Sequence, residues 1–114
     1  MKVTTEQTGD VVVVHAAPAR LMHPSLSEFS TAATGEIAAG ARKIVIDLGG
    51  VEYLDSAAIG CLMDLYRQAT AAGATLKLAG VQRRVETMLT LTGANQFMEN
   101  YPDTAATVAS FARG

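Results

Sequence analysis

Short apolar runs along the chain predict a set of strands. Residues 11–14 are four consecutive valines, whose branched side chains fit the pleated surface of a sheet. Residues 3–7 precede a Gly-Asp turn and are expected to form a hairpin with that strand. The run at 44–46 lies between charged residues, as is typical of a buried central strand. Alternation predicts another strand over 75–80, and a short last strand is expected at 96–98.

Apolar residues at helical spacing predict four helices between these strands. The first covers 26–39, with Ser25 as its N-cap and a glutamate three positions later, which is a capping-box pattern. The second begins near Ser56 and ends before Gly73. The third and fourth are expected over 82–91 and 103–112.

This alternation predicts an α/β fold. The order of elements implies a mostly parallel sheet of four or five strands with an antiparallel N-terminal hairpin and about four helices. Residues 16–24 and 48–55 are interpreted as loops, and no linker or repeat divides the chain. We therefore expect one domain spanning residues 1–114.

Composition narrows the classes of function. The chain is 49% apolar and carries a net charge of −2, so it can bury a core and lacks the clustered basic footprint of a nucleic-acid binder. Its N-terminus lacks the apolar segment of a signal peptide, and no apolar stretch approaches the ~20 residues of a membrane span. We expect a cytoplasmic protein that neither spans a membrane nor binds nucleic acid.

The sequence offers little support for catalysis. His15 and His23 have no cysteine or carboxylate at metal-ligand spacing, so no metal is expected. Cys61 borders a buried stripe and is interpreted as an inert thiol. Neither a nucleophile elbow nor a phosphate-binding P-loop is present. We expect no enzymatic activity and no cofactor, although a small enzyme using Asp47, Asp55 and Ser56 is an alternative.

Ser56 is expected where the strand at 44–46, followed by a loop, leads into a helix. Such loops lie at the carboxyl edge of a parallel sheet, where functional sites usually occur. The unpaired N–H groups and the positive end of the helix dipole would tolerate a phosphate there. Serine and aspartate are also ordinary helix caps, which stabilise by about 1 kcal/mol without regulating anything. The local pattern leaves both interpretations open.

The segment 47–60 gives a more specific indication. It contains Asp-Ser-Ala-Ala-Ile-Gly at 55–60 and resembles the signature of the STAS family, in particular its anti-sigma-factor antagonists. The order of downstream elements and the chain length agree with this resemblance. It implies that Ser56 is the phosphorylated serine and that Asp55 is its acidic neighbour. Many members have a second serine next, where this chain has Ala57.

The resemblance also implies partners. The unphosphorylated protein would bind an anti-sigma factor that is itself a serine kinase of the histidine-kinase-like ATPase type, and a serine phosphatase would reverse the modification. The implied docking face combines the phosphosite, the loop before the first helix and the exposed side of the second helix, and its candidate residues are Met22, His23, Asp55, Ser56, Ala57, Ala58, Asp64 and Arg67.

One stretch departs from the family pattern. Many antagonists carry an acidic Gly-Glu-Leu-Asp-like motif after the second strand, whereas residues 16–22 here contain no acidic side chain. This departure bears on the choice of partner. The alternative function is therefore a STAS subunit or scaffold in lipid transport, stress signalling or secretion control, with no sigma factor involved.

Overall fold

A five-stranded sheet forms the centre of the computed structural model, which describes residues 3–16 and 19–112. The strands in chain order are β1 (Val3–Thr8), β2 (Val11–Ala16), β3 (Arg20–Leu21), β4 (Lys43–Asp47), β5 (Tyr53–Leu54), β6 (Thr75–Ala79) and β7 (Asn100–Tyr101). The central sheet has the order β1-β2-β4-β6-β7. Strand β1 pairs with β2 in antiparallel fashion, and the other neighbouring strands are parallel. The predicted hairpin and mostly parallel sheet are confirmed.

Four α-helices accompany the sheet. They are α1 (Ser25–Ala38), α2 (Ser56–Ala71), α3 (Arg83–Thr92) and α4 (Thr104–Ala112), and a 3-10 turn occupies Ala94–Gln96. The predicted α/β class and number of helices are therefore confirmed. Within residues 3–16 and 19–112, no helix is both long enough and apolar enough to cross a membrane.

The core has two parts, one on each face of the sheet. Alternate residues of the central strands, such as Val14 and Ile46, pack against α1, α2 and α3. The intervening residues, such as Val13 and Val45, pack against α4. Because β2 and β4 are covered on both faces, their sequences are continuous apolar runs instead of alternating ones.

The predicted capping box at the start of α1 is wrong. Pro24 occupies the N-cap position, and Ser25 is already the first helical residue. The Ser25 hydroxyl turns backwards and donates a hydrogen bond to the Met22 carbonyl, with an oxygen–oxygen distance of 2.8 Å. It therefore does not accept from the first turn of the helix, which is what a cap must do.

The strand predicted at 96–98 is also wrong. Gly93 adopts a left-handed conformation with φ of 79°, and the following residues form the 3-10 turn. Ala94 and Met98 are buried, but Gln96 and Phe97 are both exposed, so burial does not alternate as in a strand. The last strand instead lies at Asn100–Tyr101, beside β6.

Both segments interpreted as loops contain a short strand. Strands β3 and β5 pair in parallel to form a separate two-stranded sheet. Strands of two residues carry too little apolar pattern to be read from the sequence, since alternation needs about four residues to show. Residues 17 and 18, part of the stretch where the acidic motif is missing, lie outside the described residues.

Candidate functional site

Ser56 is exposed at the first position of α2. Asp55, not Ser56, is the N-cap, with an extended backbone at φ −93° and ψ 177°. The Asp55 carboxylate accepts a hydrogen bond from the Ala58 backbone N–H at 2.8 Å. Because Asp55 supplies the cap, the start of α2 does not need the Ser56 hydroxyl. Ser56 is exposed and lies at the positive end of the helix dipole.

The loop before Ser56 is held in place by the β6–α3 connection. The Leu48 N–H donates to the Ala79 carbonyl at 2.9 Å, and the Gln82 side-chain amide donates to the Gly49 carbonyl at 2.9 Å. Gly80 has φ of 68°, and a Cβ at this position would lie 3.2 Å from the Gly49 Cα. Glycine at 80 is required by both the backbone conformation and the close approach. The loop that precedes Ser56 (residues 48–55, the Ser56 loop) is therefore in close contact with the segment that follows β6.

The two-stranded sheet brings a second segment to the Ser56 loop. The Ala19 carbonyl accepts from the N–H groups of Glu52 at 2.6 Å and Tyr53 at 3.1 Å. In addition, the Arg20 guanidinium lies over the Tyr53 ring, 5.1 Å from its centroid. These contacts attach residues 19–21 to residues 52–54, just before both segments reach the surface.

Met22 and His23 follow β3, just as Asp55 and Ser56 follow β5. Because β3 and β5 are parallel and in register at Leu21 and Leu54, the two dipeptides leave the small sheet at the same end. Met22 is half-buried and His23 is exposed. The structure thus brings these two predicted docking residues close to Asp55 and Ser56.

The rest of the predicted docking face lies along α2. Ser56, Gly60, Asp64 and Arg67 are all exposed and recur at the spacing of one helical stripe. Asp64 accepts a hydrogen bond from Arg67 at 2.8 Å. Their side chains are 70% and 66% exposed, so this pair is weak and both charges stay accessible. By helix rise, Asp64 and Arg67 lie about 12 and 16 Å from Ser56 along the axis.

One predicted contact residue does not belong to this surface. Ala57 is exposed, but Ala58 has 0% of its surface accessible. Its methyl group belongs to the core with Leu62 and Leu65, one and two turns further along α2. Burial of the small residue lets the first turn of α2 pack closely on the core, so the Ala58 side chain cannot touch a partner.

The structure also shows a histidine cluster that sequence spacing missed. His15 lies between two carboxylates, with Nδ1 2.6 Å from Asp47 and Nε2 2.7 Å from Glu6. Asp47 on β4 is the cross-strand partner of His15, and Glu6 on β1 is a diagonal neighbour, two residues from the partner Thr4, so only the sheet order and register reveal the cluster. Partial burial lowers the pKa of His15, but hydrogen bonds from its ring N–H groups to the Glu6 and Asp47 carboxylates raise it more, and the net pKa is above its usual value.

The described residues give no indication of a metal or thiol chemistry. No group of three or more histidine, cysteine, aspartate or glutamate side chains within them is arranged to hold a metal ion. Burial raises the pKa of the half-buried Cys61 thiol, which favours its protonated, unreactive form.

Comparison with known proteins identifies one family, and the similar solved structures share the fold of this chain. A family model described as the STAS domain matches residues 2–110. The chain superposes on an anti-sigma factor antagonist from Mycobacterium paratuberculosis with a TM-score of 0.86 and 19% identity, covering 96% of this chain and 92% of that one. An anti-sigma-factor antagonist (STAS) domain protein from Planctomyces limnophilus gives 0.80 at 22% identity, covering 94% and 95%.

A third structure shows the same fold in a modified protein. The Bacillus cell fate determinant SpoIIAA in its phosphorylated form superposes with a TM-score of 0.73 at 17% identity, covering 96% of this chain and 99% of that one. At such identities the superpositions establish the fold alone. No curated protein matches the sequence significantly.

Proposed function

The chain belongs to the STAS domain family, and on that premise we propose that it is an anti-sigma-factor antagonist switched by phosphorylation of Ser56. The observation that carries this proposal is the exposed serine at the first position of α2, with the cap already supplied by Asp55. A serine freed from capping can be modified without breaking the helix start. The solved structures that share the fold include antagonists by description, one of them phosphorylated.

In this proposal the unmodified protein binds an anti-sigma factor and so frees the sigma factor. The partner is a serine kinase of the histidine-kinase-like ATPase type, and a serine phosphatase resets the switch. The protein itself catalyses nothing and acts in the cytoplasm. Its docking surface is formed by Met22, His23, Asp55, Ser56 and Ala57, continued along α2 by Asp64 and Arg67.

Local electrostatics account for the switch. A phosphate adds a charge of about −1.5 to −2 at neutral pH. On Ser56 it would sit beside the Asp55 carboxylate and within the docking surface, so the complex would suffer like-charge repulsion and a desolvation penalty. Within the free protein, the unpaired N–H groups of the first turn and the helix dipole would accommodate the phosphate. A coupling of about 1–3 kcal/mol shifts binding by one to two orders of magnitude without a conformational change.

The direct test needs a candidate serine-kinase ATPase, which is first sought among the genes next to the one that encodes this chain and is then incubated with the purified protein and ATP. Mass spectrometry is expected to find one phosphate on Ser56, and none in Ser56→Ala. Ser27→Ala removes another exposed helical serine near the start of α1 and is the matched control, which should be phosphorylated as efficiently as the unmodified sequence. Equal phosphorylation of Ser56→Ala would refute the site.

Binding provides the second half of the test. The unphosphorylated protein is expected to bind the kinase at least about tenfold more tightly than the phosphoprotein. Isothermal titration calorimetry of both forms measures the ratio. Equal affinities would refute the switch even if Ser56 is modified. A protein that neither binds nor is phosphorylated would point instead to a STAS subunit of an assembly without a sigma factor.

A further inference from the structure

A concave cleft opens at the end of the sheet opposite to Ser56. Its volume is about 430 Å³. It lies where β4 and β6 begin, whereas the Ser56 loop follows the end of β4. Its wall carries Arg42, Lys43, Lys77, Glu99 and Phe111. Three cations and one carboxylate therefore surround this basic cleft in a chain whose net charge is −2.

Lys77 is the unusual member of this set. Its side chain is 10% exposed, and its ammonium group donates to the Ser110 hydroxyl at 2.9 Å. The nearest carboxylate oxygen, on Glu99, is 3.5 Å away, beyond a strong hydrogen bond, and Glu99 also accepts from the Tyr101 hydroxyl. The charge lies 4.4 Å from the centroid of the Phe111 ring. A buried ammonium has three N–H donors, and Ser110 satisfies one of them well.

The other two cations also keep donor capacity. Arg42 donates through one guanidinium nitrogen to the Ala72 carbonyl, and the guanidinium has five N–H donors in all. Lys43 pairs with Asp10 at 2.6 Å, but the Asp10 side chain is 74% exposed. Pairs with so exposed a partner are weak, and a second anion can compete for the lysine.

We infer that the basic cleft binds a small phosphate monoester whose organic part packs on Phe111. A dianionic phosphate matches a cleft lined by three cations better than a monoanion does, and a guanidinium fork suits phosphate geometry. The cleft volume is within the range of small-molecule sites. The Lys77 ammonium already contacts Ser110, Glu99 and the rings of Tyr101 and Phe111, and a bound phosphate would add a charged acceptor closer than the Glu99 carboxylate at 3.5 Å. The site is independent of the proposed phosphorylation switch.

Phenyl phosphate is the probe, and phenol is its uncharged control. In ¹H–¹⁵N NMR titrations of the full chain, phenyl phosphate is expected to shift amide signals at the starts of β4 and β6, and phenol is not. Lys77→Met should weaken the affinity by about tenfold or more, since it removes a charged donor but keeps an apolar stem. Arg83→Gln removes one exposed cation from α3, outside the cleft, and should leave the affinity within about twofold, as expected for a screened distant charge.

The inference is overturned if phenol causes the same shifts, or if folded Lys77→Met binds phenyl phosphate as tightly as the unmodified protein. It is also overturned if Arg83→Gln weakens binding as much as Lys77→Met, because binding would then follow net charge. Should Lys77→Met fail to melt cooperatively, Lys43→Gln at the more exposed wall gives the same comparison. An unchanged affinity in that variant refutes the site.

Discussion

Replacing Asp55 with alanine separates the cap at the start of α2 from the serine beside it. The variant loses the 2.8 Å hydrogen bond from the Ala58 N–H to the Asp55 carboxylate. That N–H belongs to a fully buried residue, so water cannot easily replace the lost acceptor. Ser56→Ala, in contrast, removes an exposed hydroxyl from the first helical position and leaves the cap intact.

The size of the effect follows from the contact. Loss of an aspartate cap destabilises a protein by about 0.5–2 kcal/mol, and the buried amide favours the upper half of that range. For a domain of this size, 1 kcal/mol corresponds to a melting shift of roughly 4 °C. We therefore expect Asp55→Ala to lower Tm by about 4–8 °C. Ser56→Ala is expected to change the free energy of unfolding by less than about 0.5 kcal/mol.

Circular dichroism during thermal and urea denaturation measures Tm and the free energy of unfolding of both variants and of the unmodified protein. Asp55→Asn is the matched control, since asparagine caps helices about as well as aspartate but carries no charge. It should lie within about 0.5 kcal/mol of the unmodified sequence. If Ser56→Ala destabilises more than Asp55→Ala, the assignment of Asp55 as the cap is refuted. If Asp55→Asn is as unstable as the alanine variant, the carboxylate charge, and not the cap, carries the effect.

Three further predictions concern stability. The pKa of His15 is raised in the folded protein. Its pairs with Glu6 and Asp47 therefore stabilise the fold fully below about pH 6.5, the pKa of a histidine in the unfolded chain, and this contribution is lost as the pH rises through the folded pKa. The difference in urea midpoint between the unmodified protein and His15→Gln should therefore shrink from pH 5.5 to pH 8.5. Gly80→Ala should destabilise by about 1–2 kcal/mol or more because of its left-handed backbone and close contact. Phe29→Ala, at a fully buried position of α1, should cost about 3–5 kcal/mol.

Gly80→Ala and His15→Gln each have a control variant, and Phe29→Ala has an outcome that would contradict it. Gly35→Ala lies within α1, where an added Cβ meets nothing within 4 Å, so it should stabilise by about 0.5–1 kcal/mol. If Gly80→Ala behaves like Gly35→Ala, the close contact of Gly80 with Gly49 of the Ser56 loop is not as described. His23→Gln removes the exposed histidine, and a pH dependence equal to that of His15→Gln would contradict the assignment of the effect to the cluster of His15, Glu6 and Asp47. Retention of the native urea midpoint by Phe29→Ala would contradict its place in the core.

The pattern of the sequence predicted most of the central fold. The valine run at 11–14 and the apolar run at 44–46 are buried on both faces of the sheet, as continuous apolar strands require. The same patterns failed where the signal is short or ambiguous. Ser25 is a residue type that often caps helices, but its hydroxyl donates to the Met22 carbonyl. Residues 96–98 lie at the end of the 3-10 turn and just after it, and they do not form a strand.

The candidate site was predicted in part. Asp55 and Ser56 are where the strand-to-helix pattern and the family resemblance placed them, at the start of α2. Helical spacing also predicted correctly that Asp64 and Arg67 are exposed. Spacing could not predict that the methyl group of Ala58 is buried, because the first turn of a helix contacts whatever the tertiary fold packs against it.

What the sequence determined by itself is the four helices, the longer strands and the position of Ser56, because apolar periodicity and the strand-to-helix pattern are local properties of the chain. Only the tertiary structure decided which distant residues meet. His15 reaches Asp47 across 32 positions and Lys77 reaches Ser110 across 33. The segment with Met22 and His23 reaches the Ser56 loop through a sheet of two-residue strands. Sheet order and register fix these contacts, and both depend on how the whole core packs.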